Sequence, residues 1–389
     1  MISRFAFTRI PEIIFGAGTF TELPSLIASK GRTVLLVTGS SSFRRSSHYA
    51  YLMKELGSRS VTVYESSVIT EPSAPLVDMV AANYRAKGID VVAGIGGGSV
   101  MDAAKAISAM LTVNDSVKEY IEGIGSRKHP GTKKFLIAVP TTAGTGSEAT
   151  KNAVLSEIGE KGYKKSLRHD NFVPDVALID PELTLSLPPE VTAATALDAI
   201  TQLIEAYTAT SANPLTDALA ISGIEHMSSS LLRAYRHPDD IEARTGLAYG
   251  ALMSGICLAQ SGLGIVHGFA SSIGGLFEIP HGVLCGTLLA ACLRKNINLL
   301  IQQKEYAFLE KYARISNVLG QEKYKTVEDR ARHLPEIIDQ WLTEMKIPRL
   351  SAYNIRQEDI VRIVNLTENK SNPVRLTHSD MADILRERL

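Results

Sequence analysis

The sequence predicts two unlike parts: an α/β domain with a parallel β-sheet over residues 1–185, and an all-α domain over residues 186–389. In the first part, short β-branched runs alternate with helix-like stretches, which is typical of a parallel sheet covered by helices. These runs are apolar almost throughout, as expected for strands buried on both faces. Beyond Pro188 and Pro189 convincing strands stop, and long helical periods begin.

The predicted elements follow a regular order along the chain. Strands are predicted at 33–39, 60–66, 91–97, 135–141 and 175–180, and helices at 46–57, 74–87, 99–111, 191–209 and 214–235. The tail from residue 368 onward predicts one more turn and a helix. The change from strands to helices sets the predicted domain boundary near residue 185.

Composition excludes several classes of function. Apolar residues make up 45% and charged residues 21% of the 389, which indicates a globular protein rather than a disordered one. The 41 basic and 41 acidic residues cancel, so no global field favours nucleic acid. Three cysteines are too few for a disulfide framework and favour a reduced, cytoplasmic location. No uncharged apolar run reaches about 18 residues, so no membrane span is expected. With nucleic acid and membrane both disfavoured, a small molecule is the expected partner.

A triple-glycine turn is the sharpest local motif. In VVAGIGGGSVMDAAKAI (91–107), a buried strand runs into Gly97 and Gly98, and a helix follows. Ser99 and Asp102 have the spacing of a capping box, which predicts the start of that helix. A helix N-terminus behind glycines favours binding of a diphosphate, although a tight turn with nothing bound is the alternative. The motif is not the GxGxxG fingerprint.

A second loop, AVPTTAGTGSEAT (138–150), is rich in small hydroxyl residues. Thr141, Thr142, Thr145 and Ser147 follow the end of a predicted parallel strand. Ligands of open α/β sheets bind at that end, so the loop is expected to contact a ribose, a diphosphate or a nicotinamide. A solvated turn is the alternative.

The loop after the first predicted strand bears on the choice of cofactor. Gly39, Ser40 and Ser41 are followed by Arg44 and Arg45, with no acidic residue to hold a ribose 2′-hydroxyl. Hydroxyl and guanidinium donors suit a 2′-phosphate, which favours NADP while NAD stays possible. A flexible loop with two solvated arginines is the alternative.

Four polar residues stand out in the otherwise apolar second part. Asp198 and Gln202 lie four apart in a strongly helical stretch and therefore share one face. His267 and His281 follow in turn-like surroundings. Carboxylate, imidazole and amide oxygen together suit a divalent metal, although buried histidines often have structural roles only.

Taken together, these motifs resemble the iron-containing (group III) alcohol dehydrogenase family. The resemblance runs through IIFGAGTFTELPSLI, GIGGGSVMDAAKAI, VPTTAGTGSEAT, VALIDPELTLSLPPEVTAATALDAITQLIEAY, VHGFASSIGGLFEIPHGVLCG and NPVRLTHSD. It implies a Rossmann-like domain followed by a helical domain, the dehydroquinate synthase-like architecture, with a cleft between them. It also implies NAD(P)-dependent interconversion of an alcohol with an aldehyde or ketone, in a homodimer or higher homo-oligomer.

The resemblance also implies site residues, with two departures. The family's metal site is one Asp and three His, which here are Asp198, Gln202, His267 and His281. Gln202 is therefore a weaker donor toward Fe(II) or Zn(II). Ser271 stands where many members carry a histidine that relays protons, and its hydroxyl is expected to pass a proton through water. Lys164 matches a lysine that contacts the nicotinamide ribose, with Lys165 as the alternative, and Leu183 completes the expected cofactor contacts.

The expected mechanism is direct hydride transfer, with the metal polarising the carbonyl oxygen. Three alternatives stay open. One is a metal-free reductase of the same superfamily, like maleylacetate reductases, with cationic residues replacing the metal. Another is a lyase resembling 3-dehydroquinate synthase, from which the PTTAGTGSE loop points away. The third is a nucleotide-binding module that has lost its catalysis.

Overall fold

A computed structural model describes residues 4–157, 162–320 and 324–389. The strands are β1 (Glu12–Phe15), β2 (Thr33–Gly39), β3 (Thr62–Val68), β4 (Val91–Gly96), β5 (Phe135–Pro140), β6 (Asn152–Glu157), β7 (Tyr163–Arg168) and β8 (Val176–Ile179). Six of them form a parallel sheet in the order β1-β8-β5-β4-β2-β3, and β6 and β7 form an antiparallel pair. The predicted parallel sheet is confirmed; β1, β6 and β7 were not predicted.

The helices flank this sheet and then form the second part of the chain. They are α1 (Leu23–Lys30), α2 (Ser47–Ser58), α3 (Ala74–Tyr84), α4 (Gly98–Met110), α5 (Pro189–Thr208), α6 (Pro214–Arg236), α7 (Ile241–Ser261), α8 (Ile265–Leu276), α9 (His281–Gln303), α10 (Tyr306–Leu319), α11 (Val327–Glu344), α12 (Ile360–Leu366) and α13 (His378–Arg388). In the described residues, every strand precedes α5. The parallel sheet followed by helices confirms the predicted fold class, whereas a domain boundary at residue 185 stays a prediction.

Burial on both faces explains why the central strands are apolar throughout. In β2, Val34 and Leu36 pack in the apolar cluster that includes α1 and α2. Leu35 and Val37 pack in the cluster on the opposite face, with α3 and α4. All four side chains are fully buried, so neither face of this part of the strand contacts solvent.

The order of the strands places a crevice beside the glycine turn. The chain passes from β2 outward to β3 and then returns to β4 on the other side of β2. Open α/β sheets bind ligands at such a reversal, outside the carboxyl ends of the strands. Here those ends are Gly39 of β2 and Gly96 of β4.

The helical part packs directly against the sheet part. Ala177 and Ile179 of β8 belong to the same apolar cluster as the core of the helices. Gly146, in the loop after β5, has φ +61° and lies so close to α7 that an added Cβ would be 2.3 Å from Gly255 Cα. Only glycine fits both requirements, so the hydroxyl-rich loop is held where the two parts meet.

One helix, α9, is long and apolar enough to cross a membrane, and the bent pair α7 and α8 passes the same test. The apolar window of α9 is 72% buried inside the protein. Its side chains are therefore covered by the core that the described residues form.

Candidate active site

Three helices bring a carboxylate and two imidazoles together. Asp198 comes from α5, His267 from the first turn of α8, and His281 is the first residue of α9. Asp198 Oδ1 lies 3.4 Å from His267 Nε2 and 3.6 Å from His281 Nε2. Residues that are 83 positions apart in sequence therefore meet at one point.

A fourth side chain, Cys285, completes this cluster and was not predicted. It lies one turn after His281 on α9, so both residues share a face of the helix. Its Sγ atom is 3.7 Å from His267 Nε2 and 3.7 Å from His281 Nε2. The ligand atoms of Cys285, Asp198 and the two histidines all lie within 4.8 Å of one another.

The cluster fits a divalent metal ion. Asp198 is only 2% exposed, and its Oδ1 atom has no hydrogen-bond partner. A buried carboxylate oxygen without a partner is costly, and a bound cation would compensate it. Carboxylate, imidazole and thiol are donors that Zn(II) and Fe(II) accept.

Gln202 lies on the same face of α5 as Asp198 but is already engaged. Its Oε1 atom accepts a hydrogen bond of 2.7 Å from Ser254 Oγ. Both side chains are buried, and Gln202 lines the same cavity as the cluster. The neutral amide oxygen thus has a hydroxyl partner, unlike Asp198 Oδ1.

Glu205 supports the cluster from behind and was also not predicted. One carboxylate oxygen accepts the Val266 N–H at 2.7 Å, and the other lies 2.7 Å from His267 Nδ1. This contact fixes the imidazole ring and, in its neutral form, leaves the Nε2 lone pair facing Asp198. The spacing in the sequence could have indicated Glu205, because residues 198, 202 and 205 share one helix face.

The charges in the cluster are strongly coupled. Burial opposes ionisation of Asp198, but His281 and His267 hold its pKa at about 2. Burial opposes protonation of His267, yet its surroundings, including Asp198 and Glu205, raise its pKa well above the ordinary value. Burial and nearby positive charges lower the pKa of His281 to about 3. A proton taken up by the cluster is therefore favoured on His267 rather than on His281.

A cavity of about 570 Å³ joins this cluster to the end of the sheet, a size suited to a cofactor or substrate. The predicted residues that line it are Gly98, Ser99, Asp102, Thr145, Ser147, Lys164, Asp198, Gln202, His267, Ser271 and His281. Those outside its lining are Gly39, Ser40, Ser41, Gly97, Thr141, Thr142 and Leu183. Most of the second group lies at or after the carboxyl ends of β2, β4 and β5, along the same edge of the sheet.

The helix after the glycine turn begins one residue earlier than predicted, at Gly98 instead of Ser99. Gly97 is the N-cap of α4, in extended conformation, and the helix begins at Gly98. A Cβ on Gly98 would lie 2.5 Å from Thr145 Cγ2, so the turn and the loop after β5 approach each other closely. Among the described residues, no side chain caps the first turn of α4, and Gly98 and Ser99 of that turn line the cavity.

The predicted capping box is wrong, because the N-cap is Gly97, two residues before the Ser99 that the pattern required. Ser99 lies inside the first turn, and its hydroxyl donates to Glu71 Oε1 at 3.2 Å. The carboxylate of Asp102 accepts the Val154 N–H at 3.0 Å and the Ser147 hydroxyl. Asp102 therefore ties α4 to β6 and to the hydroxyl-rich loop.

Comparison with protein families decides the relationship. The model of iron-containing alcohol dehydrogenases matches residues 11–181, and the C-terminal model of the same family matches residues 192–389. The chain belongs to the iron-containing alcohol dehydrogenase family. The resemblance expected from the motifs is confirmed.

Individual relatives agree. Alcohol dehydrogenase 4 of Saccharomyces cerevisiae is 31% identical over 389 residues, covering 97% of each chain. The NAD-dependent methanol dehydrogenase of Bacillus methanolicus is 31% identical over 312 residues, covering 79% of each. The crystal structure of the archaeal alcohol dehydrogenase ADH/D1 from a Red Sea brine pool superimposes with a TM-score of 0.90 at 27% identity, covering 100% of this chain and 99% of the other.

Within this family member, Ser271 and Lys164 both line the cavity. The Ser271 hydroxyl donates to the His267 carbonyl at 2.9 Å and accepts from Lys370 Nζ at 3.1 Å. Lys370, which was not predicted, also donates to the same carbonyl at 2.8 Å. Lys164 lies in β7, with its Nζ 3.3 Å from Glu71 Oε2.

The loop after β2 holds one unexpected contact. Arg44 Nε donates to Thr38 Oγ1 at 3.2 Å, and its Nη2 atom lies 3.4 Å from Glu65 Oε1. The loop itself contains no acidic residue, but Glu65 of the neighbouring strand β3 lies beside it. Arg45 remains exposed at the surface.

Proposed function

We propose that this protein is an NAD(P)-dependent alcohol dehydrogenase that interconverts an alcohol with an aldehyde or ketone by hydride transfer at a divalent metal. One observation carries the proposal: a single cavity is lined both by Gly98 and Thr145 and by Asp198, His267 and His281. A cofactor and a metal would thus meet in one space. In this proposal, residues 1–185 bind the cofactor and residues 186–389 bind the metal.

The cofactor is proposed to lie along the carboxyl edge of the sheet. The adjacent order β5-β4-β2 lines up the three predicted loops in one row. We assign the adenosine end to Gly39, Ser40 and Ser41, and the diphosphate to Gly97, Gly98 and Ser99 at the N-terminus of α4. The nicotinamide end is assigned to the loop after β5, with Lys164. NADP is favoured over NAD, because Ser40, Ser41 and the exposed Arg45 are donors for a 2′-phosphate.

The chain's own residues then have distinct tasks. Asp198, His267 and His281 hold the metal, and Glu205 keeps His267 oriented. When bound, the metal would supply Lewis-acid polarisation of the substrate oxygen, and the cofactor would supply the hydride chemistry. Ser271 is proposed to pass the alcohol proton through water, with Lys370 holding its hydroxyl in place.

The test is a substrate panel of alcohols and aldehydes with NADP and NAD, run with and without added Fe(II) or Zn(II). We expect metal-dependent turnover and a lower Michaelis constant for NADP. Asp198→Ala should abolish turnover while leaving cofactor binding intact. Unchanged turnover in that variant, or full activity after the metal is stripped, would remove the metal from the mechanism.

A metal-free reductase of an anionic substrate is a second candidate. The observation that favours it is that two cationic side chains, Lys164 and Lys370, line the cavity beside the cluster. Insensitivity to chelators, together with turnover of an unsaturated acid, would support it. The buried Asp198 Oδ1 favours the metal-dependent reaction instead.

The assembly and location of the protein are part of the same proposal. We propose a cytoplasmic homodimer or higher homo-oligomer that acts on small molecules. Light scattering of the purified protein across concentrations tests the assembly, and a monomer at all concentrations would contradict it.

A further inference from the structure

We propose that Cys285 is the fourth protein ligand of the divalent metal. It takes the place of the histidine ligand that the family's pattern has at the position of Gln202. This inference rests on the proposed function, because it assumes that the cluster binds a metal. The cluster then consists of one carboxylate, two imidazoles and one thiolate: Asp198, His267, His281 and Cys285.

Four of the six distances between the ligand atoms are close to those of a tetrahedral site. With bonds of about 2.0–2.1 Å to nitrogen and oxygen and about 2.3 Å to sulfur, an ideal tetrahedron has edges of roughly 3.4 Å between N and O and roughly 3.6 Å between N and S. The observed N–O separations are 3.4 Å and 3.6 Å, from Asp198 to the two histidines. The observed N–S separations are both 3.7 Å, from Cys285 to the same two Nε2 atoms.

Two independent features point to a ligand at the same place. Asp198 Oδ1 is buried without a hydrogen-bond partner and is the oxygen that faces both imidazoles. Cys285 is fully buried, and its Sγ atom lies 3.7 Å from each of the two imidazole Nε2 atoms and within 4.8 Å of an Asp198 carboxylate oxygen. By contrast, the Cys257 thiol donates to the Thr216 backbone carbonyl, away from the cluster.

Gln202 is the weaker competitor for the fourth position. Its oxygen is neutral and already accepts the Ser254 hydroxyl at 2.7 Å. A thiolate is anionic and softer, so it binds Zn(II) more strongly than an amide oxygen does. Catalysis with four protein ligands requires that the ion expand to five-coordinate when a substrate oxygen arrives, as some zinc sites do.

Thiolate ligation changes the charge of the site. As the ion binds, the Cys285 S–H bond breaks, a metal–sulfur bond forms, and the proton passes to solvent without any change of oxidation state. Asp198 and the thiolate together then cancel the charge of a divalent ion, whereas one Asp and three His leave one positive charge. We therefore expect a preference for Zn(II) over Fe(II) and a milder Lewis acid than a site of one Asp and three His would give.

Cobalt(II) provides the probe. The full-length protein is stripped with chelator, loaded with Co(II), and its absorption spectrum is recorded. Ligation by Cys285 predicts visible ligand-field bands together with a near-ultraviolet sulfur-to-cobalt charge-transfer band. Cys285→Ala should lose the charge-transfer band and weaken binding at least about tenfold, on the scale of ligand-shell mutations. Cys292→Ala, which removes another buried thiol from the same helix, should keep both features.

Three outcomes separate the two proposals. Visible bands without the sulfur band would overturn ligation by Cys285 while leaving the metal site itself standing. No bound cobalt at all would overturn the metal site and, with it, the proposed mechanism. A charge-transfer band that survives in Cys285→Ala would overturn this assignment of the sulfur ligand.

Two further measurements keep the inference testable if Cys285→Ala does not fold. X-ray absorption of the zinc-loaded unmodified protein should show one sulfur neighbour at about 2.3 Å, and its absence would refute ligation. In the Cys285→Ala background, Gln202→His should restore tight metal binding without restoring the sulfur band. Failure of that variant to bind better than Cys285→Ala would contradict the exchange of ligands between these two positions.

Discussion

Replacement of Glu205 by Gln tests how the metal cluster is organised without touching a proposed ligand. In the present structure the Glu205 carboxylate accepts the Val266 N–H and contacts His267 Nδ1, both at 2.7 Å. The amide oxygen of Gln can keep the contact with Val266. Its NH₂ group then faces Nδ1 as a donor, so the imidazole must carry its proton on Nε2, the atom that faces Asp198.

The size of the effect follows from the lost hydrogen bond. A hydrogen bond to a charged group contributes about 1.5–3 kcal/mol, and Glu205→Gln removes one such bond. At about 1.4 kcal/mol per factor of ten, this predicts a loss of metal affinity of roughly 10–100-fold. The same range is typical when the hydrogen-bond partner of a metal-binding histidine is removed.

The assay is a competitive titration of Zn(II) against a chromophoric chelator. Glu190→Gln makes the same change of charge at an exposed position on α5 and should leave the affinity unchanged. In the metal-free protein, NMR titration should show the pKa of His267 falling when Glu205 is replaced. A metal affinity within about twofold of the unmodified protein, combined with an unchanged His267 pKa, would refute this reasoning.

Three other predictions follow from particular residues. Gly98→Ala should weaken binding of the nicotinamide dinucleotide at least about tenfold, because the new Cβ would lie 2.5 Å from Thr145 Cγ2; fluorescence titration tests this, with Gly57→Ala, which has open space, as control. Glu148→Gln should stabilise the fold at pH 8 by up to about 3 kcal/mol and leave it little changed at pH 4, as measured by urea unfolding. Burial raises the pKa of Glu148 from 4.5 to about 7, so native stability is lost as pH rises through that window, and equal urea midpoints for both proteins at pH 8 would contradict it. Metal affinity should rise with pH, because His267, whose pKa is raised, must release its proton before it binds; calorimetry in buffers of different ionisation enthalpy should detect that proton, and no release would count against His267 as a ligand.

The central strands were predictable because their environment is simple. β2, β4, β5 and β8 are buried on both faces and end at glycine, proline or a turn, so each reads as an apolar run of the right length. β1 has only four residues at the edge of the sheet, and its pairing with β8 joins positions more than 160 residues apart. No local pattern specifies such a contact.

The β6–β7 pair escaped prediction for a different reason. In β7 the buried Leu167 is flanked by polar residues, and in β6 the apolar run is only the three residues Ala153 to Leu155, so no apolar run of strand length appears. The pair is nevertheless important for the site, because β7 carries Lys164 into the cavity and β6 receives the side chain of Asp102. The loop that joins the two strands includes residues 158–161, which lie outside the described part of the chain.

For the site, motifs identified candidate residues but not their partners. The resemblance named Asp198, His267 and His281, and the structure brings these three together. Cys285 was considered only as one of three cysteines, although its i, i+4 spacing from His281 was visible. Spacing alone does not say which face of α9 meets α8, and that packing decides whether a thiol becomes a ligand or a core residue.

The two departures from the family's pattern are each accompanied by a side chain from elsewhere in the fold. Gln202 is accompanied by Cys285, which lies in the metal cluster. Ser271 is accompanied by Lys370, whose Nζ donates to the serine hydroxyl at 3.1 Å. The electrostatic consequences run in opposite directions, since a thiolate adds negative charge at the metal and an ammonium adds positive charge one helical turn away. A weaker Lewis acid stabilises an alkoxide less, and a nearby cation restores part of that stabilisation. It follows that Gln202→His alone should not recover the behaviour of an Asp–His₃ site, because a neutral imidazole leaves the Cys285 thiolate at the metal; only the double change Gln202→His with Cys285→Ala would remove that negative charge.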